Sequence, residues 1–136
     1  MKVKLDTGAF MPERAHEWDA GADLRTPHDV YIAGGGYTIV NTGVHVEIPP
    51  GYVGMVKSKS GLMCKLGIVT DGTVDAGYTG SIRVCLFNRD GTPREFKRGD
   101  KIAQIVIMPV VTPEFEQVDE IEGSDRGADG FGSTGR

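Results

Sequence analysis

Two aspartates, a lysine-serine run and a glycine-rich tail hold most of the chemistry this chain could do. Asp75 lies in Gly72-Thr73-Val74-Asp75-Ala76-Gly77-Tyr78-Thr79-Gly80, one carboxylate and one aromatic ring inside a glycine-rich turn. A carboxylate among small and apolar neighbours can take a proton from water without a histidine or a nucleophilic serine. The same composition also builds a plain Asp/Gly turn, and spacing does not choose between the two. Asp23, in Ala20-Gly21-Ala22-Asp23-Leu24-Arg25, suits either a hydrated Mg2+ or a loop-capping role. Lys57-Ser58-Lys59-Ser60-Gly61-Leu62 leads ammonium groups and hydroxyls into a short helical pattern, where free N–H groups and the positive dipole end favour an anion. A solvated basic strand end has the same composition, and the GxxxxGK[ST] phosphate loop is absent. Gln104 is polar inside the apolar run 102–108, so it needs partners, whether structural or from a ligand. The tail Arg126-Gly127-Ala128-Asp129-Gly130-Phe131-Gly132-Ser133-Thr134-Gly135 joins a fixed charge, two hydroxyls and one large ring to a backbone free to wrap. That set suits a clamp on phosphate and base, with a frayed terminus as the plain alternative. His16, His28 and His45 have no HxxE or HExxH spacing, which disfavours a catalytic zinc.

The elements that must position these residues read as strands. Short apolar stretches at 37–40, 44–48, 52–56, 82–87 and 102–111 alternate with turn chemistry such as Gly34-Gly35-Gly36, Asn41-Thr42-Gly43 and Pro49-Pro50-Gly51. Such spacing predicts an all-β sandwich or barrel. In Val44-His45-Val46-Glu47-Ile48 the apolar residues should face a core and His45 and Glu47 the solvent. One short helix is expected, with Ser60 as N-cap, Leu62, Met63 and Leu66 on one side, and Gly67 just past the end. Between 112 and 125 there are carboxylates but no Lys or Arg, and beyond them the tail makes no conventional element.

Bulk properties exclude several classes. The 136 residues form one domain with a core large enough to do without disulfides. Glycine, at 20 residues, is at roughly twice the usual ~7% and argues against a helical bundle. With 15 basic and 19 acidic residues the net charge is -4, so nothing steers the whole molecule to nucleic acid or an anionic membrane. Cys64 and Cys85 have no CxxC spacing and read as reduced thiols. No leader or membrane-spanning run is legible, and a cytoplasmic protein is the expectation.

Taken in order, the segments resemble the five motifs of the trimeric deoxyuridine triphosphatase (dUTPase) family. They are Ala20-Gly21-Ala22-Asp23-Leu24, Lys59-Ser60-Gly61-Leu62, Gly72-Thr73-Val74-Asp75 through Tyr78 and Gly80, Gly99-Asp100-Lys101-Ile102-Ala103-Gln104, and the tail from Arg126 to Gly135. Each alone is weak or moderate, but five in register are specific. The resemblance implies a jelly-roll-like distorted β-barrel with one short helix over 1–122, a flexible lid over 123–136, and a homotrimer with active sites between subunits. It implies Mg2+-assisted hydrolysis of dUTP to dUMP and pyrophosphate, which lowers dUTP and supplies dUMP for thymidylate synthesis. By the same resemblance Asp75 activates water, and Asp23 meets the metal through water. Lys59, Ser60, Gly61 and Gln104 hold phosphate. Arg126, Gly132, Ser133 and Thr134 contact the ligand from the tail, where Phe131 stacks on uracil. Thr70, Gly72, Thr73, Val74 and Arg83 fall at the base, with Val69 and Thr70 left open as the contact on the short loop. Tyr78, flat against the sugar, would exclude a 2′-hydroxyl.

Specificity then has a physical logic. Uracil's acceptor-donor-acceptor edge can be read by hairpin backbone near Thr73 and Arg83, and cytosine would leave buried polar groups unpaired, a penalty of up to about 10⁴ in discrimination. Thymine would be excluded by a hairpin too tight for its methyl group. Lys59 departs from the family's usual arginine and loses the bidentate fork, predicting a weaker phosphate grip. Asp129 adds negative charge where glycine is frequent. The second reading is a related deoxycytidine triphosphate deaminase, which lacks such a Phe-containing tail. Members carried by phages also act as regulators that bind a partner protein, a role compatible with this chain.

Overall fold

Period-two alternation selects the buried face of most strands. The computed structural model describes residues 1–124 and 127. Its elements are β1 (Val3–Leu5), β2 (Gly21–Arg25), β3 (Val30–Ile32), β4 (Tyr37–Asn41), β5 (Val44–Val46), β6 (Tyr52–Lys57), α1 (Ser60–Leu66), β7 (Ile68–Val69), β8 (Asp71–Val74), β9 (Arg83–Asn88), β10 (Arg94–Phe96) and β11 (Lys101–Pro109). All strand pairs are antiparallel. They form a four-stranded sheet in the order β2-β11-β6-β8, a three-stranded sheet β4-β9-β7, and the pairs β1-β5 and β10-β3. This is the expected all-β barrel with one short helix.

The core lies between the inward faces. Val40 from β4 and Val84 and Leu86 from β9 are fully buried, and Leu24, Ile102, Ile105 and Val56 close the core from the four-stranded sheet. Burying one such aliphatic side chain contributes about 1.5–3 kcal/mol, enough to specify register once several act together. Val44, Val46 and Ile48 are buried as expected. His45 is not solvated: its ring has one nitrogen on the Thr79 carbonyl and the other on the Asp6 carboxylate, and only 19% of the side chain is exposed. The alternation did put it on the outer face, but β1 pairs alongside and the 75–80 turn reaches over that face.

The helix differs from expectation at its start. Ser60 is the first helical residue and Lys59, extended at φ -80 and ψ 130, is the N-cap with no side-chain capping bond. The nearest upstream hydroxyl, Ser58 Oγ, is engaged across the chain by the Thr70 N–H and carbonyl. Gly67 closes the helix in the left-handed region, as anticipated. Leu62 and Leu66 pack on the core, whereas Met63 is 45% exposed.

One irregularity matters for the site. The pairing of β11 with β2 shifts between Lys101 and Ala103, so Lys101 faces Arg25 and Gln104 faces Asp23. Residues three apart would point to opposite faces of a regular strand. The bulge puts Lys101 and Gln104 on the same face as Asp23.

Candidate active site

Asp23 is the centre of the first cluster. It sits mid-strand on β2 opposite Gln104, its N–H bonds the Glu13 carbonyl at 2.8 Å, and its side chain is 7% exposed. One carboxylate oxygen accepts from the Lys59 ammonium and the other from Lys101 Nζ at 2.6 Å. Burial pushes the Asp23 pKa up, but hydrogen bonds and charge from Lys101 and Lys59 outweigh it and hold the group below the ordinary carboxylate range. Asp23 is therefore a fixed negative charge that aims two cations.

A cleft of about 330 Å³ opens over this cluster, with Asp19, Gly21, Asp23, Lys59, Gln104 and Val106 in its walls. Gln104 Nε2 donates to the Ser58 carbonyl at 3.1 Å, and its side-chain carbonyl lies over Gly21 so closely that a Cβ there would overlap it. Glycine at 21 is thus what lets the amide lie flat on the sheet. Lys57, the other lysine of the run, pairs with Asp71. In the first turn of α1, the N–H groups of Ser60, Gly61 and Leu62 have no intrahelical acceptor and no acidic neighbour.

Among the described residues no group of three His, Cys, Asp or Glu is placed to hold a metal. Both oxygens of Asp23 are engaged by ammonium groups, so inner-sphere chelation by this carboxylate would break an ion pair. A hydrated Mg2+ arriving with a phosphorylated ligand fits this donor set, because Mg2+ keeps several waters and needs only one or two carboxylates.

Asp75 belongs to the second cluster. Between β8 and β9 the chain makes a turn in which Tyr78 N–H bonds the Asp75 carbonyl at 3.2 Å, and Gly77 takes φ 83. The Tyr78 hydroxyl donates to the Ser81 carbonyl at 3.2 Å, folding the phenol over Gly80, where any Cβ would collide with the ring. The turn encloses a cavity of about 340 Å³ lined by Thr73, Val74, Asp75, Tyr78, Ile82 and Arg83. Asp75 is exposed and, among the described residues, has no ion-pair partner. The carboxylate is available to a ligand in the cavity.

The structure thus sorts the expected site residues. Thr73, Val74, Asp75, Tyr78 and Arg83 meet in one cavity, and Asp23, Lys59 and Gln104 meet in another that shares no lining residue with it. Ser60 and Gly61 begin the helix, Gly72 pairs with Val56, and Thr70 is 6% exposed with its Oγ1 buried and unpartnered among the described residues. Neither Val69 nor Thr70 lines either cavity. Arg126, Phe131, Gly132, Ser133 and Thr134 lie outside the described residues. Lys101 was missed as a partner of Asp23; two polar residues three apart in an apolar run, Lys101 and Gln104, were the signal for the bulge.

Comparisons with known proteins point to one family. A family model described as dUTPase matches residues 8–135. The chain is 47% identical over 136 residues to the deoxyuridine 5'-triphosphate nucleotidohydrolase of Nocardia farcinica, covering 97% of this chain and 82% of that protein. It is 45% identical over 138 residues to the protein of the same name from Corynebacterium glutamicum, covering 98% and 93%. Among solved structures it resembles the dUTPase of Staphylococcus bacteriophage 80alpha with dUpNHpp, at a TM-score of 0.93 and 34% identity over 99% of this chain and 98% of that one. It also resembles a variant dUTPase of phage phi11 of S. aureus, described for its coordination of a structural Mg(II) ion, at a TM-score of 0.81 and 33% identity over 88% and 96% of the two chains.

Proposed function

We propose that this chain, which belongs to the dUTPase family and hydrolyses dUTP, does so by water attack on the α-phosphorus, with Asp75 taking the water's proton and dUMP and pyrophosphate as products. The observation that carries this reading is the convergence of Thr73, Asp75, Tyr78 and Arg83 on one cavity. Backbone groups near Thr73 and Arg83 read the uracil edge, and the Tyr78 ring, held down by its bond to Ser81, packs on the sugar where a 2′-hydroxyl would stand. Asp75 at the same rim is free to accept a proton because, among the described residues, no cation holds it.

The phosphates belong to the other cluster. Lys59, the open N–H groups of Ser60 and Gly61, and Gln104 offer donors to a polyanion. Asp23, with Asp19 in the same cleft, is the residue that would hold a hydrated Mg2+, which supplies charge neutralisation for the triphosphate. Arg126, Phe131, Gly132, Ser133 and Thr134, in the 123–136 lid, would close over the ligand and exclude water.

The complete site is assembled from several copies in a homotrimer. Two features support this. The nucleoside-side and phosphate-side clusters open into separate cavities of one chain. After Val110 N–H bonds the Gly51 carbonyl, the segment to 124 lies outside the barrel with Val111, Phe115 and Ile121 between 86% and 100% exposed. Apolar side chains at that spacing need a surface to cover them. No helix among the described residues is long and apolar enough to cross a membrane, and Cys64 and Cys85 are free thiols, which suits the reducing interior of a cell.

The test is one assay of the purified chain with dUTP, dCTP, dTTP and UTP, reading pyrophosphate and ammonia. Pyrophosphate from dUTP alone is expected; ammonia from dCTP would overturn the reading in favour of a deaminase. Mixing an Asp75→Asn chain with one truncated before Arg126 should restore activity in verified mixed trimers, and no recovery there would remove the shared site.

A further inference from the structure

We propose that His45, as an imidazolium, is a positioning residue that straps the 75–80 turn, and with it Asp75 and Tyr78, to the N-terminal strand. This rests on the reading of Asp75 and Tyr78 as substrate-facing groups. His45 Nδ1 is 2.8 Å from the Thr79 carbonyl oxygen and Nε2 is 3.1 Å from Asp6 Oδ1. Both partners are acceptors with no hydrogen to give. A neutral imidazole carries one N–H and can satisfy one of them; only the imidazolium donates to both at once. The conclusion depends on the identity of the acceptors and not on any assigned hydrogen position.

The strap matters because little else holds the turn. Among the described residues, the hydrogen bonds of 75–80 other than His45 to Thr79 stay within the turn or reach Ser81 next to it. Tyr78 is adjacent to the strapped residue and is closed onto Asp75 by its N–H and onto Ser81 by its hydroxyl. A shift of Thr79 is therefore passed to both the ring and the carboxylate lining the cavity.

Charges around the imidazole come from every element packed on it. Asp6 follows β1, Lys4 faces His45 in the β1-β5 pairing, and Glu47, itself bridged to Lys2, shares with Tyr78 and Thr79 a cleft of about 440 Å³ beside the ring. The Thr79 carbonyl first and Asp6 next hold the proton on His45 above the ordinary histidine range, against burial and Lys4. Since the folded-state value is raised, the strap is complete below the ordinary value of about 6.5 and falls to one of its two bonds as pH rises through the folded value.

The test uses the full chain and two readouts. In two-dimensional NMR, the His45 ring and the Thr79 and Gly80 backbone signals should titrate with one midpoint above about 6.5, and the turn signals should stop titrating in His45→Gln. In steady-state hydrolysis of dUTP, wild-type kcat/KM should exceed that of His45→Gln about threefold to tenfold at low pH, the worth of one lost hydrogen bond, and the ratio should fall toward one as pH rises through that midpoint. Asp6→Asn should move the midpoint to lower pH. A packing role alone would give a ratio independent of pH, and that result, or turn signals that ignore the His45 titration, overturns the proposal. Asp75→Asn separates the two readings: if it stays active while the turn still follows His45, the catalytic assignment fails and the strap stands. If it is inactive while the turn ignores His45, the strap fails and the assignment stands.

Discussion

Asp23 and Asp75 are both aspartates at the rim of a cleft, yet they are built for opposite tasks. Asp23 is mid-strand, nearly sealed, and clamped by two ammonium groups. Asp75 is on a turn, exposed and, among the described residues, without an ion-pair partner. A carboxylate that must stay ionised and aim cations is best locked into a sheet. One that must take a proton during reaction has to be free of cations that would depress its basicity. On the proposed assignment the catalytic group is the loosely held one, and order is supplied to it by Tyr78, Gly80 and the proposed strap from His45.

The sharpest way to break this contrast is Asp75→Asn. It should lower kcat for dUTP hydrolysis by about 10²–10⁴-fold, the worth of a positioned general base, and leave Tm unchanged. A drop of less than tenfold would remove Asp75 from that role. Asp23→Asn should, unlike Asp75→Asn, cost folding stability, about 2–3 kcal/mol in urea unfolding at pH 7, because two lysines lose their shared counter-charge. That is less than a fully buried pair would cost, since the Lys59 and Lys101 side chains are 27% and 38% exposed. The Asp23 pKa is depressed in the fold, so its contribution is present above the ordinary value and lost as pH falls through the lower folded one. The stability difference between wild type and Asp23→Asn should therefore shrink in acid; a difference independent of pH would break the ion-pair account.

Smaller effects sharpen the same comparison. Gly21→Ala should displace Gln104, costing about 1–2 kcal/mol and raising KM for dUTP, with Asp75 chemistry intact in kcat. Thr70→Val should be neutral or stabilise the free chain by up to about 1 kcal/mol, because it removes a buried hydroxyl without a partner among the described residues. KM should be unchanged, as Thr70 lines neither cavity. A threefold rise in KM would instead mark its hydroxyl as the base contact.

Much of this was legible along the chain, for a physical reason that differs by element. The strands at 37–41, 52–57, 83–88 and 101–109 follow from alternation between turn residues, which is a local property. The short strands β1, β3, β7 and β10 were not, because their two or three residues lack the longer alternating run, 44–48, that made β5 readable, and they exist only through their partners. Val44 and Val46 were placed correctly, yet His45 between them was not: alternation tells which side of a sheet a residue faces but not whether another loop covers that side.

The sequence alone determined the chemical inventory. It held the motifs in order, the turn residues that separate the strands, and an aspartate without a histidine as the candidate base. Only the tertiary structure decided who holds whom. The bulge at 101–103 turned Lys101 onto Asp23, Gly21 admitted Gln104 to the same cleft, and the chain brought Asp6, His45 and Thr79 together from three distant segments. Residue type and spacing specify local conformation and the groups on offer, whereas ion pairing and burial depend on contacts between segments far apart in the chain, which closing the barrel creates.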